Sequence, residues 1–298
     1  MAAMDTFERD GLVLDVRDHG PDGGGEPAGT VVLLHGFPQD ASAYDAVVPL
    51  LTSEGLRVLV PDQRGYSPRA WPRGRSPYVM DELVDDVVAL LDQAGVAQAH
   101  VVGHDWGGGV AWTFAGRRPE RTLSLTALST PHPAAMVWGM RHGDQARRSS
   151  YMAWFQVPRV PERVLLAEHG ARLREALVSS QLPDPFVDRY VTRLLEPGAL
   201  TAALAWYRAL PVTRGRGAGR TRVPTMYVHG RRDPFFARES VAATGRYVAA
   251  PFTSVPVDTG HWIPETHPTE VAAAVLALAF GRDLRRGSTP SAPQPPPG

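Results

Sequence analysis

An α/β architecture, with a mostly parallel sheet wrapped by helices on both faces and interrupted by a helical insertion, is predicted by three features of the sequence. Short continuous apolar runs alternate with helical patterns toward both ends of the chain, the alternation stops between about Ala134 and Gly219, and a Gly-rich turn, Gly103-His104-Asp105-Trp106-Gly107, precedes the break. Continuous apolar runs suit strands covered on both faces, and strands alternating with helices imply parallel pairing.

Taken in order, Leu12–Val16 reads as a strand, Pro21–Gly29 as a surface loop, and Thr30–Leu34 as a strand buried on both faces. Arg57–Val60 repeats that character. Asp81–Ala94 is the clearest helix: Leu83, Val84, Val87, Val88 and Leu91 share one face, and Asp81, Glu82, Asp85 and Asp86 solvate the other. Ala99–Val102 leads into the Gly-rich turn as a strand and Val110–Gly116 leads out as a helix. After a strand at Leu123–Leu128, only helical patterns and Pro-rich breaks follow until strands at Val223–Val228 and 252–257. The expected division is a discontinuous core, 1–133 and 219–284, a helical cap over the Asp105 turn, 134–218, and a Pro-rich tail, 285–298, too poor in apolar residues to pack and expected to be disordered.

Composition narrows the function classes. The 298 residues, 43% hydrophobic and 21% charged, suit a globular protein with a sizeable core. A formal charge of zero implies neither a nucleic-acid partner nor a membrane surface, and the arginine clusters (Arg147-Arg148, Arg214 to Arg222, Arg282 to Arg286) read as solvated surface. Without cysteine, disulfides, zinc–thiolate sites and thiol catalysis are excluded. Met1–Asp10 has no apolar signal-peptide region and Val271–Phe280 is too short to span a bilayer, so a cytoplasmic location is expected. No feature speaks to oligomeric state.

The chemistry centres on Asp105. The turn has the Gly-x-nucleophile-x-Gly form of a strand-to-helix elbow, with aspartate where serine is usual. A carboxylate there is a poor agent for ester cleavage, because it would have to form a mixed anhydride. It can displace a leaving group from saturated carbon, giving an ordinary ester that water later hydrolyses. The expected substrates are therefore alkylating compounds such as epoxides or alkyl halides. A base for the second step is offered by His261 in Thr259-Gly260-His261-Trp262, its chain position matching the order nucleophile, acid, histidine. Asp233, in the loop after the Thr225–Val228 strand, is the expected orienting carboxylate, with Asp258 second. Backbone N–H groups of Phe37 and Trp106 are the candidate oxyanion donors, and His35 is expected to brace the first of these loops without moving protons.

Residues 10 to 281 resemble the soluble α/β-hydrolase-fold epoxide hydrolases, through His35-Gly36-Phe37-Pro38, Gly103-His104-Asp105-Trp106-Gly107-Gly108, and two cap segments, Ser150–Gln156 and Ala205–Arg208. The resemblance implies the α/β-hydrolase fold, a small-molecule epoxide and water as reactants, no metal or organic cofactor, and Tyr151 and Tyr207 as the two epoxide-activating tyrosines. An epoxide oxygen leaves as an alkoxide still tethered to carbon, so it needs a donor, and a phenol is protonated near neutral pH. Helical spacing can aim both inward: Tyr151, Trp154 and Phe155 fall at i, i+3 and i+4, and Leu200, Leu204 and Tyr207 at i, i+4 and i+7. Trp154, Phe155 and Trp262 are expected to line the substrate site. Asp62–Pro68 departs from the family's Asp-x-x-Gly-Tyr-Gly-x-Ser segment by lacking the later glycine, which bears only on local loop shape. The alternatives are a haloalkane dehalogenase, disfavoured by Phe37 and by paired tyrosines that a departing halide would not need, and a non-catalytic ligand sensor on the same fold.

Overall fold

A computed structural model describes residues 3–213 and 217–282. The expectation for the tail, 285–298, lies outside the described residues. Eight strands form one sheet in the order β1-β2-β4-β3-β5-β6-β7-β8: β1 Thr6–Arg9, β2 Leu12–His19, β3 Gly29–Leu34, β4 Leu56–Pro61, β5 Ala99–His104, β6 Thr122–Leu128, β7 Thr225–Gly230 and β8 Phe252–Val257. β1 pairs antiparallel with β2 and β2 with β4, while the remaining neighbours are parallel. The helices are α1 Val48–Thr52, α2 Met80–Gln93, α3 Trp106–Arg117, α4 Pro133–His142, α5 Gln145–Arg148, α6 Tyr151–Phe155, α7 Val160–Ser179, α8 Asp184–Leu194, α9 Ala199–Ala209, α10 Arg238–Ala243, α11 Ile263–Thr266 and α12 Pro268–Phe280.

Side-chain alternation builds two cores. From β3, Val32 and Leu34 face the cluster that holds residues of α2, α3, α8 and α9, whereas Val31 and Leu33 face the one that holds residues of α1 and α12. This is why the central strands read as unbroken apolar runs. The expected strands are all present, and the expected helix at Asp81–Ala94 is α2. Strand β1 was not anticipated, because four edge residues with only Phe7 buried carry no readable period. Helix α3 begins at Trp106, a turn before the expected start, since Gly107–Gly109 form its first turn.

Glycine is required there by close approach. A Cβ on Gly107 would run into the carbonyl groups of Leu34 and His35, and one on Gly103 into the carbonyl of Gly107. The helix thereby starts hard against the end of β3. Because backbone atoms cannot move aside, Gly107→Ala should cost about 3 kcal/mol or more. Thermal melting checks this, and an unchanged midpoint would show that the contact relaxes.

The order also creates a crevice. From β3 the chain returns to one side as β4 and then crosses to the other as β5, so the loops leaving β3 and β5 diverge at the sheet's C-terminal edge. Between β6 and β7, helices α4 to α9 fill the sequence. Helix α4 packs on α10. Helices α8 and α9 dock on the loop after β4: Arg193 donates to Tyr66 O at 2.8 Å and Trp206 Nε1 to Arg64 O at 2.7 Å. That loop is itself anchored by buried Arg64, whose guanidinium donates twice to Asp86 of α2, at 2.8 and 2.6 Å.

Candidate active site

Asp105 sits between β5 and α3 with φ 50° and ψ −119°. A non-glycine residue rarely adopts such a conformation, and it is held by its surroundings. Thr130 Oγ1 donates to its carbonyl oxygen at 2.8 Å, and Gly109 N–H donates to the same oxygen at 3.1 Å. The effect is to push the carboxylate into the crevice. Gly36 admits it, since a Cβ there would lie 2.5 Å from Oδ1 of Asp105.

Two further groups meet that carboxylate, and a third stands behind one of them. Phe37 N–H donates to Oδ1 at 2.8 Å. His261 Nε2 is 3.6 Å from Oδ2. On the other side of the imidazole, Nδ1 lies 2.8 Å from Oδ2 of Asp233, whose Oδ1 accepts from Phe235 N–H at 2.8 Å. Asp258, the second-ranked acid, instead pairs with Arg232 on the surface at 2.8 Å. His35 braces its loop as expected: Nδ1 is 3.0 Å from Gly36 O, and Nε2 accepts from Gln63 N–H at 3.2 Å. Trp106, as the first residue of α3, carries its N–H at the N-terminus of that helix.

Burial makes these charges interact strongly. Burial alone would push His261 down, but the negative charges of Asp233 and Asp105 and the hydrogen bond to Asp233 raise it to about 10. Burial would raise Asp105, yet the neighbouring His261, with His104 and the Phe37 N–H, holds it below the usual carboxylate range. At neutral pH the resting site is therefore an Asp105 carboxylate beside a His261 imidazolium.

Above this pair lies a cavity of about 380 Å³ lined by Phe37, Asp105, His261 and Trp262 from the sheet side and by Tyr151, Trp154, Phe155 and Tyr207 from α6 and α9. Leu165, Leu173 and Leu177 of α7 add to its apolar lining. Of the residues expected from the sequence, Phe37, Asp105, Tyr151, Trp154, Phe155, Tyr207, His261 and Trp262 line this one cavity, Asp233 stands behind His261, and the Trp106 ring lies 5.0 Å from that of Tyr207. The Tyr151 and Tyr207 rings are 6.1 Å apart. Burial, then the Asp105 charge, raises Tyr151 well above an ordinary phenol; burial, then Tyr151 and Asp105, does the same for Tyr207. Both are neutral phenols. The Tyr207 ring stands edge-on to the rings of Trp106 and Tyr151. Trp262 is fixed edge-on by its Nε1–H, which donates to the carbonyl and hydroxyl oxygens of Ser180 at 3.1 and 3.0 Å.

Sequence reasoning missed a supporting group. Ser129 Oγ donates to His261 O at 2.6 Å, and the same oxygen is 2.9 Å from His104 Nε2. Gln39 and Glu265 lie beneath the oxyanion loop, hydrogen-bonded at 2.6 Å. Burial raises Glu265 to about 7 against hydrogen bonds from Gln39 and Tyr190. No motif links these residues. Among the described residues no group of three or more His, Cys, Asp or Glu side chains could hold a metal ion, and no helix is long and apolar enough to cross a membrane.

An eight-stranded sheet with an acidic elbow, a histidine and a second carboxylate at its C-terminal edge is the arrangement of the α/β hydrolases, and a model of the alpha/beta hydrolase fold matches residues 29–268, so the chain belongs to that family. Among individual relatives it is 37% identical over 261 residues to the AB hydrolase superfamily protein YfhM of Bacillus subtilis, covering 85% of this chain and 91% of the relative. It is 30% identical over 304 residues to epoxide hydrolase A of Mycobacterium tuberculosis, covering 88% and 94%. The crystal structure of Bacillus megaterium epoxide hydrolase in complex with an inhibitor superposes with a TM-score of 0.80 at 25% identity, covering 92% of this chain and 99% of that one.

Proposed function

We propose that the protein is an epoxide hydrolase that opens an epoxide to a vicinal diol through a covalent ester on Asp105, with residues 134–218 acting as the cap. The observation that supports this reading is that two neutral phenols and an ionised carboxylate line one apolar cavity. Oδ2 of Asp105 attacks a ring carbon, the C–O bond breaks, and Tyr151 and Tyr207 donate to the departing oxygen. His261, oriented by Asp233, then takes a proton from water, which adds to the ester carbonyl carbon. The resulting oxyanion on Oδ1 meets the Phe37 N–H already bound there and the Trp106 N–H.

The proton count closes. The resting site holds one negative charge on Asp105 and one proton on His261. Alkylation moves the negative charge onto the epoxide oxygen, which needs one proton, and it removes the nearby charge that kept His261 protonated. The imidazolium's proton restores the phenol that donated, which leaves histidine a neutral base when one is required. Collapse of the tetrahedral intermediate breaks the carbonyl carbon's bond to the alkyl oxygen, which takes the proton of the added hydroxyl. Asp105 is again a carboxylate, His261 an imidazolium since it took the water's proton, and the diol is free.

The lining favours uncharged, hydrophobic epoxides. Outside the reacting groups and the indole N–H of Trp154 and Trp262, its polar side chains are Ser179 and Ser180, whose hydroxyls donate to Ala176 O and Leu177 O. A charged substituent would find no partner there. The halide reading is disfavoured because the cavity lining carries Phe37 and two phenols, and a departing halide needs no proton.

Heavy-oxygen water in a single turnover tests the route. The label should enter the Asp105 carboxylate, leaving the first diol unlabelled, because the transferred oxygen comes from the protein. Label in that diol and none in the protein would mean direct attack by water.

A further inference from the structure

Glu265 is a buried carboxyl that the reaction does not use. It lies on α11, and among the described residues its Oε2 has no hydrogen-bond partner. Oε1 accepts from Gln39 Nε2 at 2.6 Å and from the Tyr190 hydroxyl of α8 at 2.9 Å. An ionisable group in such a place costs stability that an apolar side chain would not.

What it accomplishes follows from the asymmetry of an amide, which has one accepting end and one donating end. Gln39 Oε1 accepts from Gly36 N–H at 2.7 Å and is 2.8 Å from His104 Nδ1. Turned over, the amide would set its NH₂ against the Gly36 N–H and its oxygen against the oxygen of Glu265, two repulsive contacts. Glu265, by accepting, selects the orientation in which Gly36 N–H is held. The next N–H along the chain, that of Phe37, is the one on Oδ1 of Asp105.

We propose that Glu265 is a positioning residue for the oxyanion loop, locking the Gln39 amide so that the Gly36–Phe37 backbone stays aimed at Oδ1 of Asp105. The inference rests on the two-step ester reading. It affects the steps unequally: full negative charge returns to Oδ1 only when water attacks the ester. The alkylation step, in which a carboxylate acts as nucleophile, tolerates a weaker donor.

The test follows adduct formation and decay by rapid-quench intact mass with an aryl epoxide. Glu265→Leu should slow adduct decay about tenfold or more, less than the full loss of an oxyanion donor, while formation stays within about threefold. Glu265→Gln keeps an accepting oxygen and should restore decay to within about threefold of the parent. Gln39→Leu removes the amide from the other side and should show the same selective slowing, which keeps the idea testable if Glu265→Leu does not fold. Equal slowing of both steps, unaltered decay in either leucine variant, or a glutamine variant no better than leucine would overturn the proposal. Absence of any adduct in the parent enzyme would overturn the ester reading itself, whereas a parent adduct with unaffected variants overturns only the role of Glu265.

Discussion

His261→Gln should stop the reaction halfway, leaving a protein heavier by one substrate. Glutamine fills similar space but cannot accept a proton from water, so the ester on Asp105 would form and persist. General-base assistance is typically worth about 10²–10⁴ in rate, and the hydrolysis step should fall by at least that much. Formation should be affected less, because the Phe37 N–H still donates to the attacking carboxylate, although without the imidazolium burial raises Asp105. Intact-protein mass after mixing with an aryl epoxide reads the outcome directly, and a variant that shows neither adduct nor diol counts against the scheme. The same logic fixes a pH dependence for the parent enzyme. In the free protein His261 is raised to about 10 by Asp233 and Asp105. In the ester the Asp105 charge is gone, so the histidine titrates lower. Only its neutral form takes the proton, so adduct decay should rise with pH through that lowered value and then level off. Decay independent of pH between about 5 and about 9, across the usual histidine range, would argue against His261 as the base.

Strands and elbow were legible for the same reason: the sequence constraint is local. Val31–Leu34 must be apolar at every position because both faces of β3 are covered, and glycines at 103 and 107 are demanded by neighbouring backbone. His261 and Asp233 could be found because each follows a strand at the same edge of the sheet, although 28 residues separate them. Tyr151 and Tyr207 were found only through a resemblance, since helical spacing fits a plain core stripe equally well. The hidden part is tertiary. Gln39 and Glu265 are 226 residues apart and neither lies in a recognisable pattern. Ser129 holds the His261 backbone, a task that needs only a hydroxyl and so leaves no pattern in the sequence. The start of α3 was misplaced because three successive glycines read as a loop until β3 is known to press on them.

Replacing both tyrosines at once, Tyr151→Phe with Tyr207→Phe, should reduce epoxide opening by about 10²–10⁴, the usual worth of a positioned acid. The rings and their apolar contacts remain, so the cavity keeps its shape and substrate binding should change little. What is lost is proton donation to an oxygen that otherwise departs as a bare alkoxide in a low-dielectric cavity. The single variants should each keep part of the activity. The two rings are neighbours, 6.1 Å apart, and either hydroxyl can serve the same departing oxygen, so the two losses should not add. The variants also separate the substrate classes. A primary alkyl halide leaves as a stable anion and gains little from a phenol, so any slow alkylation of Asp105 by such a compound should survive the double replacement. Mass spectrometry with the two electrophiles side by side measures that contrast. If the double variant loses adduct formation equally with both, the hydroxyls shape the cavity and do not serve the leaving oxygen. If epoxide opening is unchanged, the phenols have no part in the chemistry.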